Sequence, residues 1–313
     1  MKRIDIAGIA VSELMLGAGG RGPAERDELS FAIMDRYVEL GGNCFDTARL
    51  YADGQSDQSL GRWLRSRGLR DRVVVVTKGS HPDPATMHRS RLSPAEIEGD
   101  LDQSLAAIGI DRTDFHLLHR DDPKLPVSEI MTALDRLVRS GKARAVGCSN
   151  WTIGRIRQAN DFAARNGLAP LAVCQLHHSL AITTAAQAGD VTYVPMSDVE
   201  YGWYRESNFP IMAFGAQARG YFSRIAAGQE LKPDHLRYYE WIPENRRRAD
   251  RIQALAAQLG VEVSPLAVAY VLRGGLNAVA LCAFSSVAQL EQAVAGTAVD
   301  LTPEHIRYLE QGA

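Results

Sequence analysis

Eight short apolar runs, separated by longer amphipathic stretches, recur along nearly the whole chain, and no other feature constrains the fold as much. They are Leu14 to Leu16, Cys44 to Asp46, Val73 to Thr77, Phe115 to Leu118, Ala145 to Cys148, Leu171 to Cys174, Ile211 to Phe214 and Ala278 to Leu281. A short run without polar alternation reads as a strand buried on both faces, and the segments between read as helices covering those faces. Repetition of that unit builds a parallel sheet. Eight such strands close most naturally into a (β/α)8 barrel, so a single α/β TIM-barrel domain over residues 1–313 is expected, with a doubly wound sheet as the alternative.

Local signals agree. Ser93-Pro94-Ala95-Glu96 combines an N-cap, a Pro at the first helical position and a capping-box Glu, and Ser264-Pro265 repeats the cap-plus-Pro signal. Leu16-Gly17-Ala18-Gly19-Gly20-Arg21-Gly22 is rich in glycine but lacks the Gly-x-Gly-x-x-Gly fingerprint of a doubly wound dinucleotide fold. The longest irregular stretches, Ser80 to Leu92, Leu180 to Met196 and Tyr221 to Tyr239, each follow a predicted strand. They therefore belong to the face on which barrel active sites are built.

With 313 residues, 46% of them hydrophobic, the chain can bury one large core. A net charge of −2 gives no electrostatic ground for a nucleic-acid or membrane partner. The run Asn245-Arg246-Arg247-Arg248 precedes a helical pattern and reads as a solvated helix start. Cys44, Cys148, Cys174 and Cys282 fall in apolar runs without Cys-x-x-Cys spacing and read as reduced core residues. Asp5 and Glu13 interrupt the N-terminal apolar stretch, and no segment has the length of a membrane span, so a cytoplasmic protein is expected.

Chemistry concentrates at the ends of the predicted strands. Asp46 closes the second run, and Tyr51 follows five positions later. Lys78 stands directly after Val73-Val74-Val75-Val76-Thr77, and His119 directly after Phe115-His116-Leu117-Leu118. An unperturbed phenol, with a pKa near 10, needs a neighbouring cation to exchange protons near neutrality. Lys78 can supply that cation, Asp46 can hold the buried ammonium, and His119 can hydrogen-bond a substrate oxygen. A metal centre built on His116, His119, Asp121, His177 and His178 is the weaker alternative: His116 and His119, three apart on a strand, face opposite ways, so no metal is expected.

These residues and their surroundings resemble the aldo-keto reductase superfamily over essentially the whole chain. The likeness is carried by Asn43-Cys44-Phe45-Asp46-Thr47-Ala48 with Tyr51, Gly54-x-Ser56-Asp57-x-x-Leu60-Gly61, Val76-Thr77-Lys78, Leu117-Leu118-His119, Gly147-Cys148-Ser149-Asn150-Trp151 and Gln175. It implies a barrel, bound NADP(H) with NAD(H) as the alternative, and hydride transfer to a small-molecule carbonyl or from an alcohol. The family's catalytic tetrad maps onto Asp46, Tyr51, Lys78 and His119. The resemblance also assigns Gly19, Gly20, Asp46, Ser149, Asn150, Gln175, Phe214, Gly215, Gln217, Ser285, Gln289 and Gln292 to the cofactor.

Phe214 stands where the family usually stacks Tyr or Trp on the nicotinamide. Tyr51, His119, Trp151 and Tyr204 are expected to line the substrate pocket, the aromatic residues suiting an alicyclic or sugar-like compound. Departures cluster at the adenine end: Ala283, Gln292 and Ala293 replace the family's Gly, Glu and Asn. Gly20 and Arg21 replace Thr and Trp. The expected function is reduction of an aldehyde or ketone with Tyr51 as proton donor. The alternative is a cofactor-sensing regulatory protein on the same barrel with little turnover.

Overall fold

The computed structural model describes residues 1–18 and 23–312. An N-terminal hairpin, β1 (Arg3–Ile6) and β2 (Ile9–Ser12), precedes eight parallel strands. These are β3 (Leu14–Gly17), β4 (Cys44–Asp46), β5 (Val74–Gly79), β6 (Thr113–Leu118), β7 (Ala143–Ser149), β8 (Leu171–His177), β9 (Ile211–Phe214) and β10 (Ala278–Cys282). They pair in sequence order, and β10 returns to pair with β3, closing the barrel. All eight expected strands are present, their ends differing by up to three residues. The doubly wound alternative is excluded by that closure.

Side-chain parity explains how the barrel places polar groups. Met15, Cys44, Val74, Val76, Phe115, Leu117, Ala145, Val173, Met212, Val279 and Leu281 share one buried cluster with Ile6, Ile9 and Val11 of the hairpin. These are the inward positions, every second residue of each strand, and the hairpin plugs the N-terminal end of the barrel. The intervening residues, such as Phe45, Val75 and Cys148, join the larger cluster between strands and helices. Continued by period two, the inward positions end in Asp46, Lys78, His119, Ser149, Gln175 and Phe214. Six polar or aromatic groups from six strands are thus aimed at one mouth. Gly147 is inward too, where an added Cβ would lie 2.6 Å from both Leu117 Cδ2 and the Val173 carbonyl.

The helical shell follows its caps with one shift. Ser93 and Glu96 form the expected reciprocal capping box of helix Pro94–Ile108. The later helix starts at Val263 with Glu262 as its N-cap, so Ser264 and Pro265 lie inside its first turn. Pro is tolerated there because first-turn N–H groups have no intrahelical partner. Tyr221 to Tyr239, expected to be irregular, contains the helices Tyr221–Ala226 and Pro233–His235 and enters a π-helical turn at Leu236–Glu240. Asn245, buried in helix Pro243–Leu259, holds this segment through the carbonyls of Ile182 and Tyr239, each 2.8 Å away. All four cysteines are free and buried. Among the described residues no single helix is long and apolar enough to cross a membrane.

Candidate active site

The centre of the mouth is an ion pair. Lys78 Nζ lies 2.5 Å and 2.6 Å from the two carboxylate oxygens of Asp46, and both residues are buried. Burial alone would depress the ammonium, but Asp46 and then Tyr51 favour the charged form, and Lys78 ends above its ordinary value. The bidentate contact compensates for desolvation on both sides. Asp46 Oδ1 also accepts from Gln175 Nε2 at 2.9 Å, tying β8 across the barrel to β4.

Tyr51 enters from the loop after β4. The carbonyl of Lys78 accepts from Arg49 N at 3.1 Å and that of Ala48 from Tyr51 N at 2.9 Å. Ala52 and Asp53 then take left-handed φ of 50° and 53°. Behind this turn, Thr47 Oγ1 donates to Asp57 Oδ1 at 2.5 Å and Ser56 Oγ to the Ala18 carbonyl at 2.6 Å. The half-buried Tyr51 ring has Lys78 Nζ 4.8 Å from its centroid and the His119 ring edge-on at 5.7 Å. Burial raises the Tyr51 phenol above its ordinary value near 10, although Lys78 pulls it down, so it is protonated at neutrality.

His119 is held by its backbone N to the Gly79 carbonyl at 2.9 Å. Burial, reinforced by the positive charges of Lys78 and Arg120, holds its imidazole well below 6.5, so the ring is neutral at pH 7. Its Nδ1 is buried and has no partner among the described residues. The mouth therefore carries a neutral phenol and a neutral imidazole beside a fixed positive charge. That set can donate a proton to, and stabilise, an oxygen gaining negative charge.

Beside this centre, Ser149 and Gln175 are register partners on β7 and β8. Asn150, at a φ of 57°, donates to Ser149 Oγ at 3.0 Å and accepts from Val194 N at 3.3 Å. Phe214 ends β9 partly exposed, flanked by His177 at 5.6 Å and Tyr193 at 5.8 Å between ring centroids. His177 in turn meets the Tyr239 hydroxyl at 3.2 Å. Gly215 has φ 71°, and a Cβ there would lie 2.6 Å from the His177 ring.

Farther out, Gln217 Nε2 donates to Ser264 Oγ at 2.8 Å, and Gln289 folds back to accept from Ser285 N at 2.9 Å. Gln292 and Ala283 are exposed. Gly19 and Gly20, assigned to the cofactor by resemblance, lie outside the described residues.

Two expectations need correction. Trp151 and Tyr204 do not line the mouth: both are fully buried in the cluster between strands and helices. Trp151 packs under the Arg155 guanidinium, and Tyr204, on helix Asp198–Ser207, packs against Trp203 and Phe209. Conversely, the mouth includes His81 and Arg120, which the sequence reading did not single out. His81 packs edge-on to His119 with centroids 4.7 Å apart, and Arg120 donates to the His119 carbonyl at 2.8 Å. Their signal was adjacency, since each lies within three residues of Lys78 or His119.

A cleft of about 980 Å³ lies at the opposite end of the barrel, among Arg70, Asp114, Lys142 and Arg144, and contains none of these mouth residues. Among the described residues no group of three or more His, Cys, Asp or Glu could hold a metal, and outward-facing His116 bonds Thr77 Oγ1 at 3.0 Å.

A versiconal hemiacetal acetate reductase of Aspergillus parasiticus is 27% identical to this chain, over 99% of this chain and 95% of its own length. An aryl-alcohol dehydrogenase of Pestalotiopsis microspora is 26% identical over 98% of this chain and 80% of its own. The crystal structure of a thermostable aldo-keto reductase bound to the inhibitor epalrestat superposes with a TM-score of 0.76 over 99% of both chains, at 19% identity, which shows the same fold. The model of the Aldo/keto reductase family matches residues 13–312, and the chain belongs to that family.

Proposed function

We propose that this protein is an NADP(H)-dependent carbonyl reductase that converts a small aldehyde or ketone to an alcohol. The observation that carries the reading is the convergence of a protonated Tyr51, a neutral His119 and the Asp46-held Lys78 at one mouth. In this reading the carbonyl oxygen lies against Tyr51 and His119. Tyr51 gives its proton to the developing alkoxide, Lys78 stabilises the phenolate left behind, and Asp46 keeps Lys78 charged despite its burial. His119 donates a hydrogen bond from one ring nitrogen.

The mouth fits a nicotinamide cofactor, which supplies the hydride when bound. Ser149, Asn150 and Gln175 offer hydroxyl and amide groups suited to a carboxamide, and Phe214 offers a ring edge and face beside them. The adenine end is less polar, because Ala283 and Ala293 carry no hydrogen-bonding side chain and Gln289 is already bonded to Ser285 N. A cytoplasmic setting belongs to the same proposal, supported by the four free cysteines.

The test is a titration with NADPH and NADH beside turnover of a panel of carbonyl compounds. Saturable binding with turnover supports the reductase. Binding without any turnover would favour a cofactor sensor, and the ratio of the two dissociation constants decides between the cofactors.

A further inference from the structure

Resting on the reductase reading, we propose that His81 positions substrate by accepting a hydrogen bond from a hydroxyl group beside the reacting carbonyl, which selects hydroxylated carbonyl compounds. The backbone is built to put His81 at the mouth. Immediately after β5, Ser80 takes a left-handed φ of 63°, a conformation that costs a non-glycine residue energy and clusters at functional sites. Its backbone N donates to buried Asp100 at 2.7 Å, and Asp100 also receives Arg49 at 3.0 Å and Arg91 at 2.5 Å. This anchored turn carries His81 against His119, with ring centroids 4.7 Å apart and planes at 78°.

The tautomer of His81 follows from its own partner. Nδ1 lies 2.6 Å from the Pro82 carbonyl, which can only accept, so Nδ1 bears the hydrogen. Burial also lowers the basicity of the ring. At neutral pH, Nε2 is therefore a bare acceptor beside the group that faces the carbonyl oxygen. A ketone or aromatic ring offers it nothing, whereas a hydroxyl next to the carbonyl donates to it. Arg120 adds to the same polar wall. Its two terminal nitrogens bond the His119 carbonyl and Asp190, while its buried Nε has no partner among the described residues. Trp151 and Tyr204 are withdrawn into the core, and the rings found against His119 are those of Tyr51 and His81.

The experiment compares kcat/KM for hydroxyacetone and methoxyacetone. Both carry an electron-withdrawing oxygen beside the carbonyl, but only the first has a hydrogen to donate. The native protein should prefer hydroxyacetone by roughly 10-fold. His81→Ala should bring the ratio close to one, and His81→Asn, whose amide oxygen still accepts, should restore part of it. Circular dichroism checks that each variant is folded. A native ratio near one, or an unchanged ratio in folded His81→Ala with both constants lowered together, overturns the assignment while leaving the reductase reading intact. No turnover with any carbonyl compound overturns both.

Discussion

The two ends of the barrel treat buried polar groups in opposite ways. At the bottom, Asp114 accepts from Arg70 at 3.1 Å, Arg144 at 2.9 Å and Val75 N at 2.9 Å. Nearby, the buried Tyr37 hydroxyl bonds Ser12 Oγ and the carbonyls of Leu14 and Cys44. At the mouth, His119 Nδ1, Ser80 Oγ and Arg120 Nε are buried without partners among the described residues. Leaving such groups unsatisfied costs about 1–3 kcal/mol each. At the bottom the bonds of Asp114 and Tyr37 hold the fold, whereas the mouth carries these unpartnered polar atoms around Tyr51, Lys78 and His119.

The largest effect that can test this contrast is acid. His116 and His178 are pushed down to about 4 and His177 to about 3 by burial, and all three sit on β6 or just at the end of β8. As pH falls below 6.5, the unfolded chain takes up protons that these rings refuse. Stability is therefore present above that value and lost as pH falls towards the folded values. Between pH 6 and 4 the three together should remove about 7 kcal/mol. Denaturant midpoints across that range measure it, and a flat profile would break the account.

Next comes Tyr51→Phe, which should cut turnover by roughly 10² to 10⁴ while leaving cofactor affinity and the denaturation midpoint nearly unchanged. Undiminished turnover removes Tyr51 from the mechanism. Asp114→Ala should do the reverse, lowering stability by about 2–3 kcal/mol with kcat unaltered. A fall in kcat of the folded variant would show that the two ends are not separable. The smallest effect is Gly215→Ala. Its positive φ and the close His177 ring should cost about 1–2 kcal/mol and raise the KM for cofactor a few-fold, through displacement of Phe214.

Much of this molecule was legible in its residues. Each barrel strand is an apolar run too short for a helix, and parity carried from Val74 and Val76 to Lys78, or from Phe115 and Leu117 to His119, aims the polar ends at one mouth. The N-terminal hairpin was missed although Ile4, Ile6, Ile9 and Val11 alternate around Gly8, because each arm is only four residues long. Trp151 and Tyr204 were misplaced because an aromatic residue near a strand end carries no sign of which side of the wall it packs on. His81 was hidden by the left-handed turn at Ser80, which breaks the parity that located the others. That turn is stabilised by Asp100, twenty residues away on a helix, and no local pattern announces so distant a partner.

The pairing of β10 with β3 has a consequence beyond architecture. A ring of strands has no first or last member, so its backbone groups offer no free edge to a passing chain. Among the described residues, the two-stranded sheet of β1 and β2 is the one with unpaired rims, and each rim spans four residues. The same ring spaces Asp46, Lys78 and Gln175 by two routes around its circumference. To part them, the wall must stretch along one route while it is compressed along the other.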